Sequence, residues 1–233
     1  MNIDTKTIII SGASRGIGRA TALLLAQNGA NVIVTARSVD ELKALEAEHA
    51  NIVAVPGDVT SEADMAAVVQ TALDRFGRID VVINNAGYGI FKNVDEITVQ
   101  EWDDLMATNV KGTFVLTKAA LPTLKAQGSG HVVVVASDVA KRTFAGGSLY
   151  TASKYAQEAF TGALRKEVRA FGIKVTGVYS GLVDSDFHGN HGAESSKNWL
   201  KNEDMAESML FIISRPAHVV IDEFMIHPLE QEY

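Results

Sequence analysis

The sequence of 233 residues contains no cysteine and only four prolines. Without cysteine the chain has no disulfides, no thiolate nucleophile and no cysteine-based metal site, although the redox compartment stays open. A chain of this length can bury one substantial core. We therefore expect a single domain over residues 1–233.

Positive charge is also scarce, because the sequence has 21 lysines and arginines but 28 acidic residues, which gives a net charge of -7. Such a balance gives no basic field for gathering phosphates, so no nucleic-acid partner is expected. Long apolar runs are absent as well, and residues 1–6 lack the basic and apolar regions of a signal peptide. We expect a cytoplasmic protein with no membrane partner.

What the chain does contain is a regular alternation of short β-branched runs with stretches of helical period. The strands are apolar enough to lie in a parallel sheet that is covered on both faces. This pattern predicts an α/β fold with a Rossmann-type doubly wound parallel sheet. Strands are predicted at 7–10, 31–35, 52–55, 79–83, 131–136 and 173–179, and helices at 15–28, 61–77, 102–127 and 148–171.

Residues 182–202 interrupt this rhythm, since they are rich in Gly, His, Asp, Ser and Asn and show no clear period. A loop of this length inside a compact domain is often an active-site lid, and a disordered insertion is the alternative. His188 and His191 lie in this segment without organised carboxylate partners. We interpret them as solvated side chains and expect no metal site.

A glycine-rich turn follows the first predicted strand and opens directly into a helix. Backbone amides and a helix N-terminus at such a turn can bind a pyrophosphate, although the same glycines could serve only a tight connection. The turn predicts a dinucleotide cofactor. Its candidate contacts are Gly12, Ser14, Arg15, Gly16, Ile17 and Gly18.

The residue that ends the second strand discriminates between the two nicotinamide cofactors. An acidic side chain there binds the ribose hydroxyls of NAD, whereas a cation accepts the 2′-phosphate of NADP. This chain has Arg37, and Arg15 in the glycine turn is a second cation that can bind phosphate oxygens. The pair predicts NADP(H), while surface charges without a ligand are the alternative for each arginine.

Ser137 follows the fifth predicted strand, and Tyr150 and Lys154 follow on a predicted helix. A spacing of four puts the tyrosine and the lysine on one face. We expect the ammonium group to lower the pKa of Tyr150, so that the phenol relays a proton while Ser137 hydrogen-bonds the substrate oxygen. A Tyr-x-x-x-Lys pair alone also fits an ordinary surface helix, so the prediction depends on the neighbouring motifs.

With these motifs together, the chain resembles the short-chain dehydrogenase/reductase family over nearly its whole length. The resemblance implies that Asp58 and Val59 contact adenine and that Lys154 also binds the nicotinamide ribose. It further implies that Asn109 holds a water that links Lys154 to solvent, with a buried structural asparagine as the alternative. The segment Asn84-Asn85-Ala86-Gly87 either shapes the floor under the cofactor or stabilises the sheet; we take Asn85, Ala86 and Gly87 as cofactor contacts.

The chain departs from the family pattern after the sixth strand, where Ser180 replaces the usual proline. Loss of the proline's fixed φ is expected to loosen the start of the lid. Gly181, Val183 and Ser185 remain candidate cofactor contacts. The C-terminus lacks a glycine-rich tail, and together with Gly146-Gly147 this resembles the subgroup that acts on small hydroxy acids such as serine or 3-hydroxy acids.

The substrate is expected to be a small carbonyl compound or alcohol. A hydroxy acid is one candidate, and its carboxylate would bind Lys141 or Arg142; exposed surface charges are the alternative for these two residues. A broad carbonyl or 3-ketoacyl reductase is the competing enzyme class. A non-catalytic NADP-binding regulatory protein is less expected, because the catalytic set is complete. By analogy with the family, we expect a homodimer or homotetramer.

Overall fold

A computed structural model gives the structure of residues 3–185, 187 and 197–232. In chain order its main elements are β1 (Thr7–Ser11), α1 (Gly16–Gln27), β2 (Asn31–Thr35), α2 (Val39–Glu48), β3 (Ile52–Ala54), α3 (Glu62–Phe76), β4 (Val81–Asn84), α4 (Val99–Met106), α5 (Gly112–Gln127), β5 (Gly130–Val135), α6 (Ser148–Val168), β6 (Ile173–Ser180), β7 (Val183–Asp184), β8 (Leu200–Lys201), α7 (Asn202–Ile213) and β9 (Glu223–Ile226).

Seven strands form one parallel sheet in the order β3-β2-β1-β4-β5-β6-β9. The strand order reverses between β1 and β4, and ligands of open α/β sheets bind in the crevice at such a point, outside the carboxyl ends of the strands. The predicted Rossmann-type fold is confirmed. The six predicted strands are all present within one or two residues of their predicted bounds; the fourth begins two residues later and ends one residue later than predicted.

Both faces of the sheet are buried, as the β-branched runs predict. Along β1, Ile8 and Ile10 pack in the cluster that contains residues of α1 and α7. Ile9, between them, packs in the opposite cluster with residues of α3, α5 and α6. Helices therefore cover both faces, and the strand ends are left as the place where polar groups meet a ligand.

The helix signals in the sequence act as expected at α3. Ser61 caps its N-terminus by accepting a hydrogen bond from the backbone N–H of Asp64 at 3.2 Å. Gly77 ends it in the left-handed conformation with φ of 73°. The helix predicted at 102–127 is instead α4 and α5 joined through a π-helical segment, Ala107–Lys111. Such segments occur frequently at functional sites.

The described residues of the predicted lid, 182–202, include regular structure at both ends, and the role of this segment as a lid stays a prediction. Val183–Asp184 forms β7 and pairs in parallel with β8, and α7 begins at Asn202. Residues 186 and 188–196, including His188 and His191, lie outside the described residues. Within the described ranges, no helix is both long and apolar enough to cross a membrane.

Candidate active site

A cavity of about 900 Å³ opens at the carboxyl ends of the strands. This volume falls at the upper end of the range for small-molecule and cofactor sites. Most of the predicted site residues line it, namely Gly12, Ser14, Arg15, Gly16, Ile17, Arg37, Asp58, Val59, Asn85, Ala86, Gly87, Ser137, Tyr150, Lys154, Gly181, Val183 and Ser185. Gly18 and Asn109 are not among the lining residues. Each lies next to a residue that does line the cavity, Gly18 next to Asn85 and Asn109 next to Tyr88.

The glycine turn brings the backbone of β1 against the segment that follows β4. Gly12 has φ of +63°, and a Cβ atom there would lie 2.7 Å from the Cα atom of Ala86. A Cβ at Gly18 would lie 2.5 Å from the Nδ2 atom of Asn85. Arg15, at the N-cap of α1, makes no side-chain capping bond, so the first-turn N–H groups stay available to an anion.

The segment after β4 is held to the end of β1 by hydrogen bonds. Ser11 Oγ accepts from the backbone N–H groups of Asn85 and Ala86 at 3.1 and 3.2 Å. The Asn85 side chain donates to the carbonyl of Gly12 at 2.9 Å. Asn85 thus stabilises the sheet edge and forms part of the cavity wall. That this segment contacts a cofactor stays a prediction.

Two exposed cations stand at one end of the cavity, Arg15 in the turn and Arg37 after β2. Asp58 lies nearby, and its Oδ1 atom accepts hydrogen bonds from the backbone N–H and hydroxyl of Thr60, each at 2.8 Å. These bonds, chiefly the one from the Thr60 backbone, lower the pKa of Asp58 despite its partial burial, and Arg37 lowers it further. At this end of the cavity, Arg15 and Arg37 are thus exposed to solvent, whereas the carboxylate of Asp58 is hydrogen-bonded to Thr60.

Ser137, Tyr150 and Lys154 converge at the inner end of the cavity. Ser137 lies just beyond β5, and the other two lie in the first two turns of α6. Their exposed fractions are 7%, 7% and 4%. Lys154 Nζ donates to the carbonyl of Val135 at 3.1 Å and lies 5.7 Å from the centroid of the Tyr150 ring.

The expected lowering of the Tyr150 pKa by Lys154 is wrong for this site. Burial raises the pKa of Tyr150, a hydrogen bond with Ser137 opposes that rise, and the charge of Asp138 adds to it. Burial also lowers the pKa of Lys154 to about 7. Desolvation is the largest cause of the pKa shift in each of the two groups. Tyr150 is consequently held in its protonated form, and Lys154 can give up or take a proton near neutral pH.

Asn109 is fully buried in the π-helical segment. Its Oδ1 accepts from the backbone N–H of Tyr88 at 3.0 Å, and its Nδ2 donates to the Tyr88 carbonyl at 2.9 Å and to Ser153 Oγ at 3.1 Å. A Cβ at Gly87 would lie 3.1 Å from Asn109 Oδ1 and 3.9 Å from Lys154 Nζ. These bonds hold the side chain of Asn109, and its role in keeping a water beside Lys154 stays a prediction. Gly87 leaves open the space between Asn109 and Lys154.

Aromatic rings surround Tyr150 on the substrate side. The centroid of the Phe91 ring lies 5.3 Å from that of Tyr150, and that of Phe187 lies 5.6 Å from it. Phe144 extends the wall, 6.1 Å from Phe91. Phe91 and Phe144 keep 43% and 40% of their surface exposed, so an apolar ligand could cover both rings.

The two cations proposed for a substrate carboxylate are paired with acids of this chain. Lys141 lies outside the cavity lining and bonds Glu158 and Glu223 at 2.6 and 3.1 Å. Arg142 lines the cavity and bonds the buried Asp138 at 2.6 Å. The hypothesis that either binds a substrate carboxylate stays a prediction. Among the described residues no group of three or more histidine or acidic side chains is placed to hold a metal ion.

The segment at Ser180, where the chain replaces the usual proline, is hydrogen-bonded to β9. Ser180 is the last residue of β6 and pairs with Ile226 of β9. The next backbone N–H, of Gly181, donates to the Ile226 carbonyl at 2.9 Å. That of Leu182 donates to Gln231 Oε1 at 2.7 Å. β9 and the C-terminal residues thus hold the start of this segment, and the loosening expected from the loss of proline stays a prediction.

Sequence reasoning missed Asp138 and Gln231 as parts of the site. Asp138 is buried directly beside Ser137, and Gln231 lines the cavity and donates to Asp138 Oδ2 at 2.8 Å. The acidic residue after the strand end was a visible signal for Asp138. Gln231 gave no signal, because it reaches the site from 93 residues further along the chain.

Comparison with known proteins identifies the same family as the sequence motifs. The family model described as short chain dehydrogenase matches residues 6–196. A Staphylococcus aureus protein described as an uncharacterized oxidoreductase is 34% identical over 229 residues, which cover 97% of this chain and 99% of the relative.

Two solved structures have the same fold over nearly the whole chain. An alcohol dehydrogenase from the archaeon Thermococcus sibiricus, complexed with 5-hydroxy-NADP, is 30% identical with a TM-score of 0.92, covering 99% of each chain. A closed form of serine dehydrogenase complexed with NADP+ is 28% identical with a TM-score of 0.92, covering 97% of this chain and 96% of that one.

Proposed function

The chain belongs to the short-chain dehydrogenase family, and we propose that it is an NADP(H)-dependent oxidoreductase acting on a carbonyl group or the corresponding secondary alcohol. The observation that carries the proposal is the convergence of Ser137, Tyr150 and Lys154 in one buried corner of a cavity that the glycine turn also lines. A ligand that spans this cavity would reach from the two arginines to the phenol.

The residues can perform the proton half of a carbonyl reduction. When bound, the nicotinamide would supply the hydride to the carbonyl carbon. Tyr150 would donate its proton to the carbonyl oxygen, and Ser137 would hydrogen-bond that oxygen. Lys154 would return the proton, since its pKa of about 7 allows exchange near neutral pH. In alcohol oxidation the same proton moves in the reverse direction.

The choice of NADP(H) over NAD(H) rests on Arg15 and Arg37. Both are exposed at the cavity end where β2 terminates, and arginine binds phosphate oxygens with two parallel hydrogen bonds. The two structural neighbours described above are also solved with NADP or a derivative of it.

For the substrate, we propose a carbonyl compound with an apolar or aromatic substituent. The rings of Phe91, Phe144 and Phe187 offer it an apolar wall beside Tyr150. Arg142, which lines the cavity, is engaged by Asp138, and this pairing weakens the case for a substrate carboxylate. A small hydroxy acid is the second candidate, favoured by the similarity to serine dehydrogenase.

An assay that follows NADP(H) directly distinguishes the candidate substrate classes. NADPH oxidation would be followed with acetophenone, a 3-keto acid and a 3-ketoacyl thioester, and NADP+ reduction with serine and 3-hydroxybutyrate. We expect the aryl ketone to have the highest kcat/KM, and Phe91→Ala to reduce it about tenfold through lost apolar contact. Preference for the acids would reject the apolar substrate class. No turnover across the whole panel would favour a non-catalytic NADP-binding protein.

We also propose a homodimer or homotetramer. Phe114 of α5 and Tyr155 of α6 leave 44% and 41% of their surfaces exposed on the two long helices, which is typical of a face that pairs with a second copy. Light scattering should give a mass of two or four chains of 25.0 kDa. A monomer at assay concentration would reject this proposal.

A further inference from the structure

The side-chain amide of Gln231 lines the cavity and is held at both of its polar atoms. Its Oε1 atom accepts from the backbone N–H of Leu182 at 2.7 Å, and its Nε2 atom donates to Asp138 Oδ2 at 2.8 Å. Because a backbone N–H can only donate, these partners also settle which end of the amide is the oxygen. Gly181 leaves room for the amide, since a Cβ atom there would collide with Gln231 Oε1.

The Nε2 atom of Gln231 carries a second hydrogen, as every primary amide does. Asp138 accepts one of the two, and within the described part of the chain no acceptor takes the other. A ligand that fills the cavity must therefore accept from this N–H or leave it without a partner. A buried donor without a partner is unfavourable, so the second N–H discriminates between ligands that carry an oxygen at this place and ligands that do not.

The carboxylate that holds Gln231 is neutralised by Arg142. Nε and Nη2 of Arg142 donate to the same Oδ2 atom of Asp138 at 2.9 and 2.6 Å, so the pair has no net charge. His227, whose Nε2 atom lies 3.5 Å from Oδ2, adds a charge only when it is protonated. The second N–H of Gln231 thus lies beside a neutral ion pair, which favours an uncharged oxygen acceptor over a carboxylate.

Gln231 is also close to a residue that is expected to meet the reacting carbonyl group. Asp138 follows Ser137 in the chain, and its Oδ1 atom lies 3.1 Å from Ser137 Oγ, whereas Gln231 bonds its Oδ2 atom. Ser137 and Gln231 therefore stand at the two oxygens of one carboxylate. A substrate that meets both residues would carry its second oxygen on one of the two carbons next to the reacting carbonyl.

We propose that Gln231 is a specificity-determining residue that donates a hydrogen bond to a second, uncharged oxygen of the substrate, and that the substrate class is an aryl α- or β-keto ester. The inference rests on the proposed function, since it names the substrate of the same site. The aryl group packs against the Phe91 and Phe187 rings beside Tyr150, and the ester carbonyl accepts from Gln231. The C-terminal residues of the chain thereby take part in substrate selection.

The test uses two pairs of ketones in which an ester replaces an alkyl chain of equal length: methyl benzoylformate with butyrophenone, and ethyl benzoylacetate with hexanophenone. The wild type is compared with Gln231→Met and Gln231→Ala, which both lack the amide, using NADPH at pH 8, where histidines are ordinarily neutral. We expect each variant to lower the ester-to-ketone ratio of kcat/KM about tenfold for at least one pair, the scale of one buried hydrogen bond. Since ratios are compared between proteins, the intrinsic reactivity of the ester cancels, and a general disturbance of the cavity affects both members of a pair alike.

Glu230→Ala is the matched control, since Glu230 is the exposed neighbour of Gln231 and bonds Asn198 rather than Asp138. It should keep the wild-type ratios. The wild type should also prefer methyl benzoylformate to benzoylformate, which has a carboxylate in place of the ester. Unchanged ratios in both Gln231 variants, a preference for benzoylformate, or no turnover of either ester by an otherwise active wild type would overturn the inference and leave the proposed function intact. A wild type that reduces neither these compounds nor the panel above would instead reject the proposed function.

Discussion

Tyr150 and Lys154 lie one helical turn apart in α6, and both side chains are almost completely removed from water. Their spacing was readable from the sequence, but their protonation was not, because burial depends on β5, the segment after β4 and the turn at Ser137. Desolvation keeps the phenol neutral and lowers the pKa of the lysine to about 7. The pair therefore suits an acid that gives its proton to a substrate oxygen and is then recharged.

The proposed preference for NADP(H) depends on Arg37. Replacing it with aspartate should lower kcat/KM with NADPH about 10- to 100-fold, because a charge-assisted contact to the 2′-phosphate becomes a repulsion. The same variant should gain efficiency with NADH, since a carboxylate there can bind the ribose hydroxyls. Steady-state kinetics with both cofactors measures this. Arg75→Asp, an exposed change at the end of α3, is the control, and an unaltered NADPH preference in Arg37→Asp would contradict the assignment.

At the scale of elements, the β1–α1 turn depends on close backbone approach at Gly12. Gly12→Ala should lower NADPH affinity at least tenfold, because its Cβ would lie 2.7 Å from the Cα of Ala86 and would displace the loop. Gly128→Ala is a matched control, since Gly128 has nearly the same φ of +64° but nothing within 4 Å of the added atom. Fluorescence titration with NADPH measures both variants. Equal affinities would mean that the close approach does not shape the site.

The elements that the sequence predicted are those with local signals. Local signals are those that depend on residues close together in the sequence. They include the β-branched runs of the first six strands and the capping residues Ser61 and Gly77. The edge strand β9 was not predicted, because its pattern, exposed Glu223 and Met225 alternating with half-buried residues, is short and weakly apolar. The link from Gln231 to Asp138 was missed because only the folded sheet brings these residues together. Local pattern thus identifies the catalytic motifs, and tertiary packing supplies the residues that support them.

For the whole molecule, the burial of Lys154 predicts a change of stability with pH. Its pKa is about 7 in the folded protein and about 10.4 in an unfolded chain, so between these values the unfolded state binds a proton that the folded state does not. The free energy of unfolding should therefore rise with pH from 7 to 9. At lower pH the folded protein must bury Lys154 in its charged form, which lowers the free energy of unfolding. As the pH rises, Lys154 loses its proton in the folded protein and this cost disappears.

Urea unfolding of the wild type and of Lys154→Met at pH 6, 7, 8 and 9 measures this effect. The methionine variant lacks the titrating group, so the difference in unfolding free energy between the two proteins should shift in favour of the wild type by about 1–3 kcal/mol across the range. The raised pKa of Tyr150 acts only above about pH 10, where the phenol of the unfolded chain ionises, and does not disturb this window. Parallel stability curves would show that Lys154 keeps its proton in the folded protein.

The proposed activity depends on Tyr150 as the proton donor in a site that binds NADPH. The most direct test is Tyr150→Phe, which removes one hydroxyl group and keeps the ring contacts with Phe91 and Phe187. NADPH binding would be measured by fluorescence, and kcat with the best ketone of the panel. We predict unchanged NADPH affinity and a fall in kcat of about 10²- to 10⁴-fold, the usual contribution of a positioned acid. Equal turnover by the variant and the wild type would contradict the account.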